Sequence, residues 1–139
     1  MIFVDTSAFY ALEVEDDVNH ERALEFAEEL RKGRYGALVT TDYVLDETLT
    51  LLRSRHGLEA ATLFYSKVAR SKSLKIVWVD EELFRKAVEI FAKSKGRAWS
   101  FTDCVSFATM KLLGISYAFA FDEHFAQAGF VALPSRRKK

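Results

Sequence analysis

Cysteine, proline and carboxamides are scarce in this chain of 139 residues: Cys104, Pro134, Asn19 and Gln127 are the sole examples. A single cysteine excludes an internal disulfide and a cluster of thiolate metal ligands. It lies in an apolar segment and reads as a small core residue. The shortage of amides is one mark of proteins from hot environments; an ordinary mesophile melting midpoint would contradict that reading. An excess of charge of one sign is also missing. Twenty basic and twenty acidic residues cancel, so contact with a polyanion must use local patches. No apolar run approaches the ~20 residues needed to span a membrane. Asp5 interrupts the first apolar run and no cleavage pattern follows, which argues against a signal peptide. The expected location is cytoplasmic, with no membrane partner. The six glycines form no phosphate-binding loop and no Gly-x-Ser-x-Gly turn, which disfavours kinase, nucleotide-binding and serine-hydrolase chemistry. His20, His56 and His124 are widely separated and lack His-Glu-x-x-His spacing, so a zinc hydrolase has little support.

What is present is a strong core signal. Half the residues are hydrophobic and twelve are Phe, enough at this length to bury about two-thirds of the chain surface. Short apolar runs alternate with amphipathic segments. Residues 2–5, 35–40, 74–79, 117–121 and 130–132 read as strands. Helices are expected over 6–13, from Asp16-Asp17 to Lys32, from Thr41-Asp42 to Gly57, and over 58–72, 80–94, 100–113 and 123–127. This alternation predicts an α/β fold, a three-layer α/β/α sandwich on a mostly parallel sheet of four to five strands. One domain is expected over 1–134, followed by a tail, 135–139, that contains the basic run Arg136-Arg137-Lys138-Lys139.

Four carboxylates stand where the chain turns into a helix: Asp5, Glu47, Asp103 and Asp122. In an open α/β sheet the carboxyl ends of the strands form the binding crevice. Acids gathered there repel one another by roughly 4 kcal/mol per pair at about 4 Å, with an effective dielectric near 20, unless a cation sits among them. Each acid also has a plain structural reading. Asp5 and Asp122 suit helix N-caps. Asp103 completes a Ser-x-x-Asp capping pattern with Ser100, although the helix around it is apolar on nearly every side and is therefore expected to be buried. Helical phase, 100° per residue, places Glu47 at the edge of the apolar stripe and points Asp46 towards water.

In order and context the acids are more specific than they are singly. The stretches Ile2-Phe3-Val4-Asp5-Thr6-Ser7, Tyr43-Val44-Leu45-Asp46-Glu47, Phe101-Thr102-Asp103-Cys104 and Phe121-Asp122-Glu123-His124-Phe125 resemble the PIN-domain family, and within it the VapC-type toxin ribonucleases. The segments Gly129-Phe130 and Leu133-Pro134 also fit, so the resemblance spans essentially the whole chain. It implies a metal-dependent endoribonuclease in which Asp5, Glu47, Asp103 and Asp122 hold Mg2+, or Mn2+. It also implies that Thr6, with Thr102 or Ser100, helps to arrange ligands or water. The expected reaction is in-line attack of an activated water on an RNA phosphodiester, leaving 5′-phosphate and 3′-hydroxyl ends. One position departs from the family pattern: Ala120 replaces a frequent Thr two residues before the last acid.

The resemblance further implies a homodimer and a cognate antitoxin covering the acidic groove. The Leu-rich segments 44–52 and 58–69 offer apolar surface and are the expected dimer contact. Arg53, Arg55, Lys95, Arg97 and the terminal basic run are candidates for RNA phosphates, although each reads first as a solvated charge. Trp99 is either a base-stacking platform or a core residue. His124 reads either as a phosphate contact or as a helix-surface histidine. Two other functions stay open: a housekeeping PIN nuclease in RNA processing or decay, and a silent PIN-like module that binds RNA or protein.

Overall fold

The computed structural model describes residues 1–135, so the basic run 136–139 lies outside the described residues. Five strands form one sheet: β1 (Ile2–Val4), β2 (Leu38–Thr41), β3 (Leu74–Val77), β4 (Tyr117–Phe119) and β5 (Val131–Leu133). Their order is β3-β2-β1-β4-β5, and every pairing is parallel. The helices are α1 (Thr6–Glu13), α2 (His20–Arg31), α3 (Asp42–His56), α4 (Leu58–Arg70), α5 (Glu81–Ala92), α6 (Phe101–Leu113) and α7 (His124–Gln127).

From β1 the chain first winds outward through β2 to β3. It then crosses back to β4 and continues in the other direction to β5. Right-handed crossovers in two opposite directions put α1–α4 on one face and α5–α7 on the other. The side chains agree with this. Phe119 packs edge-on against Phe26 of α2, with centroids 4.9 Å apart. Phe3 points to the other face and meets Phe125 of α7 at 6.2 Å, and Phe125 meets Phe107 of α6 at 5.1 Å. Phe3, Phe107, Phe119 and Phe125 are all essentially buried, which stabilises the three layers by about 1.5–3 kcal/mol per ring.

The topology fixes where ligands go. The winding direction reverses between β1 and β4, and a crevice opens beyond the carboxyl ends of two strands that diverge in this way. Asp5 leaves β1 at that point, and Asp122 follows β4 by three residues.

Several boundaries differ from the sequence expectation. Asp16-Asp17 do not open α2; they lie in a turn in which Asp17 accepts from the Asn19 backbone N–H at 3.0 Å. Strand β2 begins at Leu38, because Gly36 turns with φ of 71°. Strand β3 ends at Val77, and the Val79 N–H donates to the Asp42 carboxylate at 2.9 Å. Strand β4 ends at Phe119, since the Phe121 N–H turns to the Ser7 hydroxyl at 3.0 Å. The side chains of α3 expected to make a dimer contact are mostly spent inside the monomer, where Val44, Leu45 and Leu52 are buried.

Candidate metal centre

Each acid reaches the crevice for a local reason. Asp5 is the N-cap of α1, and its Oδ2 accepts from the Ser7 backbone N–H at 3.1 Å and from the Ser7 hydroxyl at 2.7 Å. Its other oxygen, Oδ1, is buried and, among the described residues, has no hydrogen-bond partner. Asp103 sits in the first turn of α6, in a full capping box. Its backbone N–H donates to Ser100 Oγ at 3.0 Å, and the Ser100 N–H donates back to Asp103 Oδ2 at 2.9 Å. Asp122 caps the turn after β4 by accepting from the His124 N–H at 3.0 Å. Glu47 lies half-buried on α3, whereas Asp46 beside it is exposed.

The acids sense one another. Burial raises the pKa of Asp5 to about 7; the nearby Asp122 charge adds to this, the bonds from Ser7 oppose it, and Asp103 contributes less. Burial also raises Glu47, partly offset by the Thr6 side chain, with Asp103 and Asp122 adding repulsion. Asp122 is raised by burial as well, against the His124 backbone bond and the His124 charge that lower it, and with Asp103 raising it further. Cys104, buried behind Asp103, is pushed up to about 11 and stays a neutral thiol.

The tightest constellation contains a residue that sequence reasoning left open. Ligand atoms of Asp103, Asp122 and His124 all lie within 4.8 Å of one another. His124 Nδ1 is 2.7 Å from Asp103 Oδ2. Asp5 and Glu47 stand outside this close triad and couple to it through their charges. The donor set fits a hard divalent cation: oxygen-rich, anionic and pressed together. The unpartnered Asp5 Oδ1 is the most direct sign, because a buried oxygen without a donor is costly and a cation would satisfy it.

The supporting residues fall in different places. Thr6 is buried on α1, and its hydroxyl lies 3.4 Å from the Val44 carbonyl, beside Glu47. Ser100 acts on the backbone and carboxylate of Asp103 through the capping box. Thr102 enters the described bonding through its carbonyl, which accepts from Ser106. Ser7 was not singled out from the sequence. It ties Asp5 to the Phe121 N–H and so supplies a hydroxyl near the turn where Ala120 has none. Its position two residues after a capping acid was the available signal. Trp99 is a packing residue: its ring meets Phe107 at 5.1 Å and its Nε1 donates to Gln127 Oε1 at 3.0 Å. Arg97 stacks over the Trp99 ring and Arg55 over the Tyr10 ring. Beside Asp122 a cavity of about 450 Å³ is lined by Arg22, Phe121, Gln127 and Pro134.

A family model described as PIN domain matches residues 2–131. The chain belongs to the PIN domain family. Its curated relatives include the 23S rRNA-specific endonuclease VapC20 of Mycobacterium tuberculosis, 37% identical over 131 residues, covering 94% of this chain and 96% of the relative. Another is a VapC ribonuclease of Archaeoglobus fulgidus, 34% identical over 118 residues, covering 82% of this chain and 74% of the relative. The PIN architecture is equally clear in three dimensions. The crystal structure of Mycobacterium tuberculosis VapC20, described as a sarcin-ricin loop cleaving toxin, superposes with a TM-score of 0.84 at 36% identity, over 94% of this chain and 97% of that one. The FitAcB structure from Neisseria gonorrhoeae shares the fold alone, with a TM-score of 0.69 at 16% identity over 95% and 96% of the two chains.

Proposed function

We propose that this PIN protein is a metal-dependent endoribonuclease, the toxin of a type II toxin–antitoxin pair, with Asp5, Glu47, Asp103 and Asp122 forming its metal centre. The observation that carries this reading is the crowding of these acids at the switch point of the sheet, with one Asp5 oxygen buried and unpartnered. Relatives named endonuclease and ribonuclease, matched over most of their length, support it.

Mg2+ or Mn2+, when bound, supplies a lowered pKa for water and neutralises charge on the phosphoryl group. The protein's own part is placement. Asp5, Asp103 and Asp122 would hold the cation by carboxylate oxygens, from two strand ends and one helix start. Glu47 would add a carboxylate from α3, with Thr6 beside it to orient a water. The substrate class is RNA, and the specificity of the curated relative makes ribosomal RNA the first substrate to test. Purified protein should cleave RNA in Mg2+ and stop in chelator. Asp5→Asn and Asp103→Asn that both cleaved at the wild-type rate would sink the assignment. A silent binding module is disfavoured because all four acids are present. Growth arrest on induction, relieved by the product of a small adjacent gene, separates a toxin from a housekeeping nuclease.

A cytoplasmic location fits this reading, and among the described residues no helix is long and apolar enough to cross a membrane. A cognate antitoxin would act by covering the acidic crevice. The homodimer contact is better placed on α5 than on α3. Phe84, Val88 and Phe91 project from one face of α5 and are 40–47% exposed. They continue into a ring cluster with Phe101 and Tyr43. Light scattering at micromolar concentration should give a dimer, and Val88→Glu should give a monomer.

A further inference from the structure

We infer that His124 is a positioning residue of the metal centre, holding the Asp103 carboxylate by one oxygen so that the other is offered to the cation; this rests on the metal-centre reading above. Asp103 Oδ2 takes two donors, the Ser100 N–H at 2.9 Å and His124 Nδ1 at 2.7 Å. At 2.7 Å the pair shares a hydrogen bond, which we take as donated by Nδ1. That atom cannot donate to Asp103 and ligate a metal at the same time. With Nδ1 held on Asp103, the imidazole acts through that carboxylate, and the carboxylate oxygens of the cluster suit Mg2+ or Mn2+.

The ring is well anchored for this task. The His124 backbone N–H is bound to Asp122 Oδ1 at 3.0 Å. The next residue, Phe125, is fully buried between Phe3 and Phe107. His124 thus joins the turn after β4 to the first turn of α6 and touches two of the four acids, one by its backbone and one by its ring. Its side chain is 28% exposed against 7% for Asp103, so the ring closes the outer side of the carboxylate. Groups that orient a metal ligand in this way typically govern 10–100-fold in metal affinity.

The test is a calorimetric Mn2+ titration of the full chain and three variants, with the melting of each metal-free protein recorded alongside. His124→Ala should bind Mn2+ about tenfold or more weakly. His124→Asn, whose amide nitrogen falls near the place of Nδ1, should recover most of the affinity. Electron spin-echo spectra of Mn2+ on the wild type should show no coupling to an imidazole nitrogen. Wild-type affinity in His124→Ala, no recovery in His124→Asn, or a directly bound imidazole would each overturn the inference. Loss of affinity in Asp103→Asn with none in His124→Ala would overturn this inference alone. Wild-type affinity in both would overturn the metal-centre reading as well.

Discussion

Asp5 and Asp80 follow strands β1 and β3, and each caps the next helix with its carboxylate. Asp5 accepts from the Ser7 N–H at 3.1 Å and Asp80 from the Leu83 N–H at 2.8 Å. Beyond that they part. Asp80 lies at the edge of the sheet and is exposed, with water available to its second oxygen. Asp5 lies at the central switch point, 2% exposed, with its second oxygen unpartnered and Asp122 and Asp103 close by. The same residue in the same capping role is thus a structural cap in one place and a candidate ligand in the other. The difference comes from strand order, which brings Asp103 and Asp122 to the end of β1, whereas Asp42, the acid near the end of β3, is spent on the Val79 N–H.

The comparison breaks most clearly in catalysis. Metal charge stabilisation is worth several kcal/mol, so Asp5→Asn or Asp103→Asn should lower RNA cleavage by about 10³-fold. Asp80→Asn should cleave at the wild-type rate in the same gel assay. Equal losses at Asp5 and Asp80 would erase the distinction.

A second test uses stability against pH in the metal-free protein. Burial and the Asp122 charge raise the Asp5 pKa from 3.8 to about 7. The folded state therefore holds a proton that the unfolded state has released. The Asp5 contribution to stability is fullest below about pH 4, falls by up to ~1.4 kcal/mol per pH unit as pH rises towards 7, and levels off above. Glu47 and Asp122, shifted in the same direction, steepen the fall. Asp5→Asn should flatten the slope and make the metal-free protein more stable at pH 8, and denaturant titrations across pH 4–8 measure this. Asp80→Ala should instead lower stability at every pH in that range by about 1 kcal/mol, the worth of a cap. On α3, Glu47→Gln should weaken cleavage at least tenfold, while Asp46→Asn, pointing to water, should leave it within about twofold.

Much of the fold was legible because its signals are local. The parallel α/β architecture followed from alternating apolar runs and caps. Thr41, Asp80 and Ser100 cap the helices that their sequence positions announced. The phase of α3 separated half-buried Glu47 from exposed Asp46 without any structure. What escaped was long-range. The bond between His124 and Asp103 joins residues 21 apart, and the Ser7 link to Phe121 spans 114; neither leaves a periodic trace. The expected dimer surface over 44–52 and 58–69 was legible only in part: Leu58, Leu63 and Tyr65 of α4 are exposed, while much of α3 is not. Apolar side chains in a sequence do not reveal which element covers them, and here the monomer's own core covers Val44, Leu45 and Leu52. Strands β2, β3 and β4 proved shorter than their apolar runs because Gly36, Asp42 and Ser7 redirect the backbone at their ends.

The acids around Asp5 are proposed to be held together for a cation. Thermal melting at pH 8 with and without Mg2+ tests this most directly. At about a hundredfold excess over its dissociation constant, Mg2+ should stabilise the wild type by ~2.7 kcal/mol, a rise of several degrees in Tm. Asp5→Asn should show little of that rise, and Asp80→Asn should show all of it. A wild-type melting curve unchanged by millimolar Mg2+ or Mn2+ would contradict the account.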